Sequence, residues 1–103
     1  MEKRRVVVTG LGVLSPVGTG TEKFWQSLVA GKSGIRKISY FDASRFDSQI
    51  CGDVIGYNEL DHFSTKDARH LARFIQFAVV ATKAALGQAR LDLKKTDLDR
   101  MGV

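Results

Sequence analysis

The 103-residue chain is poor in the residues that staple, ligate or rigidify: it has one cysteine, one proline, one tryptophan and two histidines. A lone cysteine cannot close an internal disulfide, and with no secretion signal a reducing cytoplasm is the expected location. Two histidines and one cysteine are too few, and too far apart, for a metal site. There is no internal repeat and no low-complexity tract. No apolar run approaches the roughly 20 residues needed to cross a bilayer, so no membrane partner is expected. Basic residues Lys3, Arg4 and Arg5 precede an apolar run, but glycines, Ser15 and Pro16 break it, which argues against a signal peptide. What is present is ordinary for a soluble globular protein: 44% hydrophobic and 26% charged residues, in a length that allows at most one domain with a modest core.

The net charge of +5 is concentrated. Part of it lies at Lys3–Arg5. The rest of interest is Lys66, Arg69, His70 and Arg73, at i, i+3, i+4 and i+7, a spacing that predicts one face of a helix. Cations near a helix N-terminus oppose its dipole, so a merely solvated face is uncomfortable there. Such a patch suits an acidic protein or a phosphate-bearing partner. No aromatic stacking platform or recognition helix accompanies it, so nucleic acid is not expected.

Val6-Val7-Val8 follows two arginines and reads as a strand covered on both faces, as in the middle of an α/β sheet. Thr19-Gly20-Thr21-Glu22 has the form of a capping box, and Phe24, Trp25, Leu28 and Val29 repeat at helical spacing. With Gly31 as the stop, the first helix is predicted at 20–30. Residues 32–48 read as an irregular segment pinned by scattered apolar anchors. A short strand is expected at Gln49–Val54. Ser64-Thr65-Lys66-Asp67 is a second cap signal, and one long helix is predicted from Thr65 to Ala89, well buried between Phe77 and Ala81. Asp92–Arg100 is a polar connection, and Met101–Val103 reads as the start of another strand. The alternation predicts an α/β protein whose sheet lacks partners for its strands.

Two features invite chemistry. Gly10-Leu11-Gly12 begins a dinucleotide fingerprint, but Ser15 holds the third-glycine position and Pro16 follows, against a helix opening at the turn. A dinucleotide-binding domain therefore stays open only as an alternative. Cys51 has no histidine within ten residues and reads as an inert buried thiol. Asp42, Asp47, Asp53 and Asp61 lie in loop-like sequence, with nothing to pair them as acid and base.

RRVVVTGLGVLSPVG, then FWQSLVAGKSGI, YFDAS and RFIQFA, in this order across essentially all 103 residues, resemble the amino-terminal quarter of bacterial β-ketoacyl-acyl carrier protein synthase II. The resemblance implies the N-terminal part (1–103) of a thiolase-like αβαβα fold, incomplete in this chain and ending before the catalytic cysteine. It implies a homodimeric acyltransferase that needs no cofactor. That enzyme loads an acyl chain onto a cysteine, decarboxylates malonyl-carrier protein and joins the two, with two histidines in support. Cys51, His62 and His70 do not match those residues, so no catalytic role is carried onto this chain. The family docks its acidic carrier protein on basic residues of the helix matching 64–75. Lys66 and Arg69 fit that pattern, His70 sits where lysine or arginine is common, and Arg73 shares the predicted face. A non-catalytic carrier-binding module is the other reading of the same patch.

Overall fold

A computed structural model describes all 103 residues, Met1–Val103. The first regular element is not at the valines. Strand β1 (Leu14–Ser15) and β2 (Gly18–Thr19) pair antiparallel, Leu14 with Thr19 and Ser15 with Gly18, around the two-residue turn Pro16-Val17. The Ser15 hydroxyl donates to the Gly18 carbonyl at 2.8 Å and closes the turn. This hairpin occupies the place where a nucleotide-binding fold would open a helix. Val6, Val7 and Val8 belong to no ladder and are 67–93% exposed. The expected covered strand is absent because a strand exists only against a partner, and no segment runs beside this one.

Helix α1 (Thr21–Val29) follows. The expected cap at Thr19 does not form. Thr19 is held in the β1–β2 ladder, so Gly20 becomes the N-cap at φ 87°, with no side-chain acceptor. Glu22 instead accepts from Gln26, one turn on, at 3.2 Å. The helix stops as expected. Gly31, at φ 63°, donates to Leu28 and Lys32 donates to Ser27, a left-handed Schellman ending.

The segment 32–48 is less irregular than its sequence suggests. Strand β3 (Ile35–Lys37) pairs antiparallel with β4 (Ile50–Gly52), inside the predicted Gln49–Val54 strand, in the register Ile35↔Gly52, Arg36↔Cys51, Lys37↔Ile50. Between them Tyr40, Phe41 and Phe46 make successive edge-to-face contacts at 5.0 and 5.8 Å. Both strand pairs are antiparallel, so the chain is mixed α/β but contains no parallel pair of its own. Met101–Val103 forms no strand; the only regular turn near it is a 3-10 turn at Leu98–Arg100.

The predicted long helix is two helices. α2 (Thr65–His70) ends where Leu71 turns extended (φ −102°, ψ 122°), and α3 (Arg73–Ala89) begins after Ala72 (φ −60°, ψ 148°). Leu71 and Ala72 are good helix formers, so the break is tertiary in origin. α3 packs on the N-terminal segment through absent side chains. A Cβ on Gly10 would overlap the backbone of Ala85 and Ala89, and one on Gly12 would overlap the Ala81 carbonyl. Three alanines at i, i+4 and i+8 thus face two glycines, backbone against backbone, and the Leu11 N–H donates to the Gln88 side chain at 2.6 Å. The second seam is Pro16, whose ring lies over Gly34 and Gly52 and ties the first hairpin to the second.

The core is small: Ala43, Val54, Ala68 and Val80 are the buried apolar residues. The middle of α3, predicted to be well buried, is only partly so, because nothing covers its far side: Ala78 is exposed and Phe77, Val79 and Ala81 are half-buried. The surface is 9044 Å². A compact monomer of 11.4 kDa has about 5,800 Å². The radius of gyration is 17.7 Å, against about 13 Å for a compact domain of this length. Trp25, Leu28, Val29, Phe74 and Ile75 are among the apolar side chains left exposed.

Candidate functional site

The cationic patch is built on α2. Ser64 caps it: its Oγ accepts from the Asp67 N–H at 3.1 Å and donates to the Asp67 carboxylate at 2.8 Å. This is the cap that the sequence signalled, with the acid closing on the hydroxyl, and Asp67 is favourably placed for the helix dipole. Before it, a 3-10 turn (Glu59–Asp61) feeds the Phe63 and His62 N–H groups back to the Glu59 carbonyl. Ala68 is the buried residue of α2, which leaves Lys66, Arg69 and His70 exposed. None of the three is paired with a carboxylate; the ion pairs in the chain are Arg73–Asp53 and Lys95–Asp92.

Arg73 does not join them. The break at Leu71–Ala72 removes the i, i+7 relation, and Arg73 opens α3 instead. Its Nη2 donates to the Val54 carbonyl at 3.1 Å and to Asp53 at 3.4 Å. Its guanidinium carbon lies 5.5 Å from the Tyr57 ring centre and 5.2 Å from that of Phe77. The single stripe of four cations expected from spacing is therefore three on α2 and one engaged in packing.

Behind α2 sits a buried amide. Gln76, on the first turns of α3, is 2% exposed. Its Oε1 accepts from the Tyr57 hydroxyl at 2.8 Å. Its Nε2 donates to the carbonyls of Ala68 at 3.2 Å and Leu71 at 3.0 Å, with Glu59 at 3.4 Å. The last carbonyls of a helix have no partner within it, and here a side chain from the next helix supplies one. Tyr57 is itself sandwiched, stacked on His62 at 5.6 Å and edge-on to Phe77 at 4.9 Å. Burial, and then the charge of Glu59, raise its hydroxyl above the usual 10.0, against the pull of Arg73, so it stays a donor to Gln76. Sequence reading passed over Gln76 and Tyr57 entirely. A glutamine interrupting the apolar spacing of RFIQFA was the available signal.

The other sequence candidates scatter. Cys51 is half-buried in β4 opposite Arg36, while His62 stacks on Tyr57 and His70 ends α2. No group of three or more His, Cys, Asp or Glu side chains comes together as a metal site. No helix is long and apolar enough to cross a membrane. Gly10 and Gly12 are filled by α3, which leaves no room for a pyrophosphate against them. Two open clefts stand out. One, of about 370 Å³, is lined by Tyr40, Asp53, Arg73, Phe74 and Phe77. The other, of about 320 Å³, brings Lys23, Arg36, Asp61 and His62 around Pro16 and Gly56.

Residues 3–103 match the family model described as "Beta-ketoacyl synthase, N-terminal domain", and the chain belongs to that family. Among curated relatives, the 3-oxoacyl-[acyl-carrier-protein] synthase 2 of Vibrio cholerae is 44% identical over all 103 residues, which is 25% of its own length. The Granaticin polyketide putative beta-ketoacyl synthase 1 of Streptomyces violaceoruber is 45% identical over 100 residues, 97% of this chain and 24% of that protein. The chain thus spans about a quarter of the length of the curated relatives it matches. Among solved structures, the ishigamide ketosynthase/chain length factor superimposes with a TM-score of 0.77 at 35% identity, over 90% of this chain and 23% of that one. A type II PKS acyl-carrier protein in complex with its ketosynthase bound to the hexaketide (AntDE:AntF) superimposes with 0.67, also at 35% identity, over 93% and 21%. These are thiolase-like ketosynthase chains, and the fold read here is a portion of theirs.

Proposed function

We propose that this chain is part of a 3-oxoacyl-[acyl carrier protein] synthase II, which extends fatty acids by decarboxylative condensation of an acyl thioester with malonyl-carrier protein. The observation that carries the reading is the 44% identity over the whole chain to the Vibrio cholerae synthase 2. The chain's own task in that reaction is to hold the carrier. Lys66, Arg69 and His70, exposed and unpaired on α2, are the docking contacts for its acidic surface. Arg73 is left out of that set because its guanidinium is occupied by Asp53, Val54 and two rings. The solved complex of a ketosynthase with its acyl-carrier protein, which superimposes on this chain, supports a carrier as the partner. Homodimeric assembly and a cytoplasmic location follow from the same reading. Taken alone, the 103 residues are expected to show no condensation and to melt without a sharp transition, given how much apolar surface they leave open.

The test is a chimera in which residues 1–103 replace the matching quarter of the Vibrio cholerae synthase 2. Condensation of acyl and malonyl thioesters on carrier protein is expected. A soluble, folded chimera without turnover overturns the reading. The 45% identity to the Granaticin synthase favours a polyketide ketosynthase as the second reading. It predicts that the chimera is inactive while the same replacement in the Granaticin synthase is active.

A further inference from the structure

The carrier-docking reading leaves a mechanical question. α2 has six residues, and an isolated helix of that length is not stable in water. Its near end is fixed by the Ser64 cap. Its far end is followed by two extended residues, which on their own would let it swing. Only one side chain spans that end. Gln76 is borne on the 17-residue α3, and its Nε2 holds the carbonyls of Ala68 and Leu71, one inside α2 and one just past it. The amide cannot turn over. The Ala68 and Leu71 carbonyls can only accept, which commits Nε2 to them and turns Oε1 toward the Tyr57 hydroxyl, and Tyr57 is clamped between His62 and Phe77.

We propose that Gln76 is a positioning residue for carrier docking: it locks α2 at a fixed angle on α3, so that Lys66, Arg69 and His70 present their charges as one rigid set. The proposal rests on the docking reading above. Gln76 itself, at 2% exposure, touches no partner. The lock works by hydrogen-bond polarity, not by size. A leucine fills the same space with no donor, and a glutamate offers the right length but turns an acceptor toward two carbonyls. A buried carbonyl left without a donor favours whatever swing of α2 brings it to water.

Two measurements on the Vibrio cholerae chimera described above separate the outcomes. The first is amide hydrogen exchange. In Gln76→Leu and Gln76→Glu the six-residue α2, without its far anchor, frays, so the Ala68 and Leu71 N–H groups, which donate to the Ser64 and Asp67 carbonyls, should exchange at least tenfold faster, while those in the middle of α3 keep their protection. This readout needs no carrier, so it tests the lock even if the docking reading fails. Unchanged exchange at Ala68 and Leu71 overturns the proposal. The second is titration with acyl carrier protein. Gln76→Leu should bind about tenfold more weakly and with a shallower dependence on salt. The same substitution placed in a Lys66→Ala/Arg69→Ala background should change affinity less than twofold, because the charges it positions are gone. An equal loss in both backgrounds makes Gln76 a general fold residue and overturns the positioning role. If the chimera without these substitutions does not bind carrier while exchange responds as predicted, the docking reading fails and the lock stands. Tyr57→Phe, which removes only the hydroxyl, should fall between the otherwise unaltered chimera and Gln76→Leu in both measurements.

Discussion

Gly12 and Val7 lie five residues apart on one extended segment, and their surroundings are opposite. Gly12 is pressed so closely on Ala81 that no Cβ fits, while Val7 is 67% exposed and unpaired. The same contrast divides the cations. Arg73 is bound to Asp53, Val54 and two rings, whereas Lys66 and Arg69, a turn or two earlier, meet no carboxylate. One set of residues has its physical explanation inside these 103 residues. The other set finds no partner within them. Residues of the first set should carry stability and no binding; residues of the second should carry binding and no stability of the chain alone.

The sharpest way to break that division is Gly12→Val. Its Cβ would land on the Ala81 carbonyl, so the seam must open, at a cost of about 3 kcal/mol or more. Thermal unfolding of the Vibrio chimera measures this, and an unchanged midpoint would mean that the seam is not closed as described. Next is Lys66→Glu with Arg69→Glu. Reversing two unpaired cations should weaken carrier protein by roughly 30-fold, about 2 kcal/mol, with the melting midpoint of the chimera unaltered. Unaltered affinity removes the docking assignment. Arg73→Ala should do the converse. It loses a half-exposed ion pair, a backbone hydrogen bond and two ring contacts, about 1–2 kcal/mol of stability, and leaves carrier affinity within twofold. The smallest effect is at Val7→Lys. In the chain alone it should leave far-UV circular dichroism unchanged. In the chimera the same change should be severe, because there a strand can pair with the valines.

How far the sequence could be read follows the same line. Helix α1, its Gly31 stop, the Ser64 cap and the strand near Cys51 are written in neighbouring residues, and all four stand where the sequence put them. The motif series identified the family and, with Ser15 and Pro16, argued against a nucleotide cradle. Thr19 failed as a cap because its pairing with Leu14 decided its backbone, a contact no capping rule contains. The Leu71–Ala72 break was illegible for a stronger reason. Local propensity favours helix straight through, and the opposing forces come from Gln76, Tyr57 and Asp53, the last two of them 14 to 19 residues away in sequence. Spacing therefore put Lys66, Arg69 and His70 on one helical face, as they are, and put Arg73 on the same face, which the break removes.

The glycine–alanine seam has a consequence for how this region can change over generations. Most packed interfaces are adjustable: a larger side chain on one side is answered by a smaller one opposite. Here the fit is between main chains, atoms that every residue carries, and both sides already hold the smallest side chains that serve. Every alternative to Gly12 adds the same carbon at the same place, and no substitution at Ala81 moves the carbonyl it strikes. Position 12 has no second solution within reach of a compensating mutation. A saturation library spanning residues 4–18 should leave it as the least tolerant position, while Val6 to Val8, three open slots in the same ribbon, accept nearly anything until their partner strand is supplied.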